Sequence, residues 1–162
     1  MLLATAGEEP AWNHRALSRG HRAIPLRSEH AVADAPMIAQ LILQMGLDVS
    51  AIVRPPEPGL LLDEAERARE VFFVPDAEGS PFVPAQEFVR DYGVRSVIGF
   101  GGLVSAGVFC AAILFSRVRV SSEVADLFKV IGLNFKLAML PLQSRPLFDP
   151  ADRPAGPVPT EN

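Results

Sequence analysis

Residues Val97–Ser116, "VIGFGGLVSAGVFCAAILFS", carry no charged side chain, while Arg95 precedes them and Arg117 and Arg119 follow. Three readings compete for this run: a membrane span, a nucleotide-binding glycine loop, or part of a folded core. A spanning helix needs about 20 mostly apolar residues, so the length fits. The interior does not. Gly99, Gly101, Gly102 and Gly107 fall within it, with "SAG" at Ser105–Gly107 near its centre, and each glycine costs a helix about 1 kcal/mol relative to alanine. The run therefore divides into two strands, Arg95–Val104 and Val108–Val118, joined by a turn at Ser105–Gly107 and lying in the middle of a sheet.

The glycine-loop reading fails on context. Gly99, Gly101 and Gly102 resemble the start of G-x-G-x-x-G, yet Val104 occupies the third glycine position. A strand follows where the fingerprint needs a helix N-terminus to hold a pyrophosphate. These glycines instead predict a bulge or a close backbone approach.

The whole chain has 162 residues, 49% of them hydrophobic and 21% charged, which fits one domain with a real core. Fifteen basic against 19 acidic side chains give a net charge of −4. With no basic run, this argues against nucleic-acid binding. Cys110 is the single cysteine, so no internal disulfide forms and nothing points to an oxidising compartment. The start "MLLATAGEEP" lacks the basic, then longer apolar pattern of a signal peptide. These features predict a cytoplasmic protein without a membrane span.

Around the hairpin, "MLLATA" reads as a first strand and "GEEPAWNHRALSRG" as a loop. His21–Leu26 reads as a short strand. A helix is expected from about His30 to Met45, with Pro36 starting or kinking it and Gly46 ending it; Met37, Ile38, Leu41, Ile42, Gln44 and Met45 form its apolar stripe. Arg54–Gly59 is a loop, "LLLDEAERARE" a short helix with a solvated charged face, Val71–Pro75 a strand, and Ala85–Gly93 a short helix with Gly93 as its cap. A long helix, Ser122–Leu140, follows the hairpin. Ser121 or Ser122 caps it, and Glu123 and Asp126 suit its first turn. Val124, Leu127, Phe128, Ile131 and Phe135 form one stripe expected to face the sheet. Val130, Leu133, Leu137 and Leu140 form another. A sheet covers one stripe only; the other is expected either to be buried within the chain by the N-terminal strand or the helix at 36–45, or to meet its copy in a homodimer. The proline-rich residues 143–162 read as a disordered tail. The fold class is α+β, an antiparallel sheet flanked by helices.

Tyr92–Leu142, "YGVRSVIGFGGLVSAGVFCAAILFSRVRVSSEVADLFKVIGLNFKLAMLPL", resembles the C-terminal half of a GAF domain, in particular the GAF-like sensor regions of bacterial histidine kinases and related signalling proteins. "GEEPAWNHR", "GHRAIPL", "APMIAQLI" and "VFFVPDAEGSPFVPAQEF" are similar to the same subgroup, so residues 1–142 make one GAF-like domain. The resemblance implies a non-catalytic, small-ligand-binding sensory module in signal transduction. A ligand-free structural or dimerisation domain is the alternative. Such a domain usually opens with a helix, which is expected either to be missing or to lie outside this chain, and with no kinase, cyclase or DNA-binding segment in the sequence the output protein is expected in trans. GAF-type sensors commonly dimerise through their terminal helices.

The resemblance also implies a pocket between the Asp76–Pro84 loop and the hairpin, with Arg95, Phe82 and His21 as ligand-binding candidates. Arg95 suits an anionic ligand held by bidentate hydrogen bonds; a solvated strand-end arginine is the plainer reading. A haem-like tetrapyrrole is the cofactor the resemblance admits, with His21 as axial-ligand candidate. His14, His21 and His30 lack metal-ligand spacing. Cys110 reads as a buried, inert thiol, and one cysteine does not suit the sulfoxide reductase chemistry known on this fold.

Overall fold

The hairpin reading holds in the computed structural model of the chain, which describes residues 2–17, 26, 28–53, 71–104 and 108–142. Strands β1 (Phe72–Val74), β2 (Ser96–Val104) and β3 (Val108–Ser116) form an antiparallel sheet in the order β1-β2-β3. β2 and β3 pair one-to-one from Ser96 opposite Ser116 to Val104 opposite Val108. The continuous register leaves no bulge, so of the two roles expected for the glycines only close approach applies. The connecting residues 105–107 lie outside the described residues. Every residue of β2 is buried. β3 is half-exposed along much of its length, and among the described residues it pairs with β2 alone. It is an edge of the described sheet, not the central strand expected.

Alternation along β2 divides its side chains between two faces. On the first face Val97 and Leu103 join Phe72 and Val74 of β1 in the core. Helices α1 (Glu29–Ala33), α2 (Pro36–Gln44) and α4 (Gln86–Asp91) add Val32, Leu41, Ile42 and Val89, the connecting segments add Met45, Leu47, Ala77, Val83 and Val94, and partly buried side chains of α3 (Val49–Val53) pack against them. Pro36 starts α2, where its missing N–H has no intrahelical role. Gly46 follows the helix with φ of 71° and Gly93 follows α4 with φ of 63°, backbone states that favour glycine. Ser28 caps α1 by accepting from the Ala31 amide, and Asp48 accepts from the Ser50 amide at the start of α3. Gly99 allows α2 to come down on the sheet: a Cβ there would lie 2.6 Å from Cδ1 of Leu41 and 3.1 Å from Cβ of Phe72.

The second face carries α5 (Ser122–Asp126) and α6 (Phe128–Met139), which meet at Leu127 instead of forming one helix. Ser121 caps α5 by accepting from the Val124 amide. Phe100 of β2 packs against Phe128, centroids 5.6 Å apart, and edge-on against Phe135, 5.8 Å apart. Between these rings Gly132 is buried on the β2 backbone; a Cβ there would lie 3.4 Å from the Gly101 nitrogen. Gly101 itself has φ of 144°, and a Cβ on it would overlap the Cys110 carbonyl. The sheet-facing stripe is therefore Phe128, Gly132 and Phe135. Val124, Leu127 and Ile131, expected in that stripe, are exposed together with Val130, Leu133, Leu137 and Leu140. The tight Gly132 seat sets the roll of the helix, and neither apolar edge turns inward.

These elements belong to a unit spanning Ile24–Leu140. A separate unit combines Met1–Ala23 with Pro141–Asn162. In its described part, Leu2–Ala6 forms no strand, contrary to the expectation for "MLLATA". Short 3-10 turns occupy Pro10–Asn13 and Arg15–Leu17, and the Arg15 Nε donates to the Leu2 carbonyl at 2.6 Å. Residues 21–25 of the expected second strand, the loop at 54–59, the helix at 60–70 and the tail at 143–162 lie outside the described residues. No described helix is long and apolar enough to cross a membrane.

Candidate functional site

An open groove of about 440 Å³ runs along the side of β1 that pairs with no strand among the described residues, lined by Gln44, Phe73–Asp76 and Glu78–Phe82. Two carboxamides build it. The Gln44 Oε1 accepts from the Phe73 amide at 2.7 Å, which ties the end of α2 to the strand edge. Gln44 thus acts as a polar clamp, although its spacing placed it in the apolar stripe of α2. An edge amide satisfied in this way is also unavailable to a further strand.

Gln86, in the first turn of α4, holds the opposite wall. Its Oε1 accepts from the Gly79 amide at 2.7 Å. Its Nε2 donates to the Val83 carbonyl at 2.6 Å and the Ala77 carbonyl at 3.1 Å, with the Ser80 carbonyl at 3.4 Å. The loop needs such a partner because Pro81 and Pro84 have no N–H to offer. Backbone bonds from Ser80 to Ala77 and from Val83 to Ser80 complete it, and Gly79 turns it at φ of 73°. No local motif marks Gln44 or Gln86. The signal in the sequence is indirect: a glutamine just after a loop rich in proline, with a glycine turn inside it.

Of the three ligand-binding candidates, Phe82 lines the groove, half-buried. Arg95 stands at its rim. Its carbonyl accepts from the Ala77 amide, and its guanidinium lies 3.7 Å from the Glu78 carboxylate, both side chains more than half exposed. Such a pair contributes little to stability and leaves the guanidinium within reach of another anion. His21 lies outside the described residues, so its place relative to Phe82 and Arg95 is not described. Arg119 pairs with Asp76, joining the groove loop to the segment after β3.

Charge in the groove thus comes as two acids lining it, Asp76 and Glu78, each facing an arginine. The arrangement can hold a polar ligand by exchanging one of these surface pairs for ligand contacts, with Phe73 and Phe82 as apolar surface beside them. Among the described residues no cluster of three or more histidine, cysteine or acidic side chains has a metal-binding arrangement. Cys110 is half-buried on β3, and that burial pushes its thiol pKa up, the opposite of the shift that activates a cysteine. No family model, no curated protein and no solved structure significantly matches the chain.

Proposed function

We propose that the chain is a non-catalytic sensory module of GAF-like type, cytoplasmic in location, that takes a small polar ligand in the groove beside β1 and passes the signal to an output protein. The observation that supports this reading is the Gln86 clamp. One side chain fixes a loop of two prolines and a glycine turn into the wall of an open groove, with Arg95 and Phe82 beside it. Preorganised walls lower the ordering cost of binding. Native mass spectrometry and an absorbance spectrum of freshly purified protein test it. The expected result is a co-purifying small molecule, or the strong visible absorbance of a tetrapyrrole. Arg95→Ala should weaken retention of an anionic ligand more than about tenfold, as loss of a charge-assisted hydrogen bond would. Unchanged retention in that variant removes Arg95 from the site.

One observation favours a second reading, a ligand-free structural or dimerisation domain. The space between the sheet and α1–α4 is filled by Leu41, Ile42, Met45, Phe72 and Val97, each no more than 1% exposed. A ligand that must be enclosed beneath those helices would have to displace core side chains. A chain that carries nothing on purification, with wild-type and Arg95→Ala protein indistinguishable across a panel of added anions, decides for this reading.

A further inference from the structure

We propose that the ligand of the groove beside β1 is an organic cation, an ammonium or guanidinium carried on an apolar body, which takes the Glu78 carboxylate by displacing Arg95. This rests on the reading of the groove as a ligand site and commits that ligand to one charge. The charged residues that line the groove, Asp76 and Glu78, are both acidic. The arginines that face them, Arg119 and Arg95, stand outside the lining.

The two members of the Arg95–Glu78 pair are not equally free to leave. Glu78 sits between Ala77 and Gly79, and the Gln86 carboxamide holds the carbonyl of the first at 3.1 Å and the amide of the second at 2.7 Å. The Ala77 amide is bonded in turn to the Arg95 carbonyl at 2.9 Å. The backbone beneath the carboxylate is therefore fixed. The Arg95 guanidinium ends a long side chain that is more than half exposed, and at 3.7 Å it stands beyond hydrogen-bond distance of the carboxylate. A cation entering the groove releases it to water at little cost, because an exposed pair of this kind contributes little. An anion approaching Arg95 would have to displace Glu78 and would still lie beside it, since the clamped loop cannot withdraw.

The uncharged lining suits the rest of such a ligand. Phe73 and Phe82, both half-buried, offer ring surface, and Pro75 and Pro81 offer apolar surface beside them. An aromatic face attracts a cation and repels an anion, so the rings and the carboxylates favour the same charge. The volume of about 440 Å³ matches a small organic molecule. Asp76 is held by Arg119 across the loop, which leaves Glu78, with its looser partner, as the carboxylate that exchanges.

Two probes of similar shape and opposite charge test the proposal: phenethylamine, an ammonium at neutral pH, and 3-phenylpropionate. Each is titrated into isotope-labelled protein, with the amide signals of Gly79, Ser80 and Phe82 reporting the groove. Phenethylamine should shift all three saturably, and 3-phenylpropionate should not. Arg95→Ala should bind phenethylamine about two- to fivefold more tightly, because the competitor for Glu78 is gone. Glu78→Gln should bind it about tenfold or more weakly. Both substitutions change exposed side chains, and the same spectra show that the variants are folded. Saturable shifts with 3-phenylpropionate, weakened by Arg95→Ala and absent with phenethylamine, overturn the cation and keep the groove as a ligand site. Phenethylamine binding that neither substitution changes overturns the role of Glu78. Silence of all three amides with both probes overturns the cation as well, and if nothing co-purifies with the protein the ligand-binding reading falls with it.

Discussion

The two faces of the sheet formed by β1, β2 and β3 are treated differently by the chain. On the first, three short helices lay Val32, Leu41, Ile42 and Val89 over Phe72, Val97 and Leu103, and each of these side chains is almost fully buried. On the second, one helical segment covers β2 through two phenylalanines and a glycine, leaving apolar surface on both the helix and β3. Burial of apolar surface stabilises in proportion to the area removed from water. The first face therefore carries most of the stability of the isolated chain. The second holds apolar area whose burial requires another surface.

The substitution with the largest expected effect lies where the faces share a backbone. Gly101→Ala places a methyl against the Cys110 carbonyl at a φ of 144°, and neither the strand pairing nor the overlying Gly132 allows the backbone to yield. The loss should exceed about 4 kcal/mol, seen in urea titration as absence of a cooperative transition. A normal transition would mean that the tight seat of α6 on β2 is not needed.

Next comes a direct contest between the faces. Leu41→Ala should cost about 3 kcal/mol as a core truncation. Phe135→Ala removes a larger ring but a half-buried one, and should cost less in the same titration. The reverse order would break the contrast drawn above. Gln86→Ala should cost about 1–2 kcal/mol by leaving the Gly79 amide and the Val83 carbonyl without their partner, with water making up part of the loss. Its effect should concentrate on the groove loop, measured as faster proteolysis between Ala77 and Val83.

The smallest effect belongs to the start of α5. Ser121→Ala should cost about 1 kcal/mol through loss of the cap. Glu123 shows a matching pH effect. The Ser121 hydroxyl is the main group holding its carboxyl below the usual glutamate value. A depressed folded pKa means that its contribution is present above the unfolded value and is lost as pH falls through the folded one. Wild-type stability should therefore fall more between these two values than that of Ser121→Ala, measured by urea midpoints at a series of acid pH values.

Elements set by local chemistry were legible in the sequence. The uncharged run with glycines at its centre became β2 and β3 within two residues of the expected ends. Pro36, Gly46, Gly93 and Ser121 marked helix ends because proline, left-handed glycine and a serine cap act within one turn. Features set across long sequence separations were not legible. The roll of α6 depends on Gly132 meeting Gly101, 31 positions away, and periodicity alone placed Val124, Leu127 and Ile131 on the wrong side. The five-residue α3 is too short for a periodic signal. Of the candidates that the resemblance implied, Phe82 lines the groove, while Arg95 is not among its lining residues and lies beside Glu78. The glutamines that build the walls went unseen because a carboxamide's role depends on which backbone groups lack partners after folding. "MLLATA" has strand-like composition, yet no described strand pairs with Leu2–Ala6.

The Gln86 clamp also has a kinetic consequence. In an exposed loop, amide hydrogens ordinarily exchange with solvent almost as fast as in a peptide. Here the amide of Gly79 ends on the side chain, while those of Ser80 and Val83 end on carbonyls that the same side chain also binds. None is released singly without straining the others, so their deuterium uptake should be slow and share one rate, set by withdrawal of a single carboxamide. The loop then behaves as a latch with two positions, and the time it spends open is a property of one residue on the neighbouring helix.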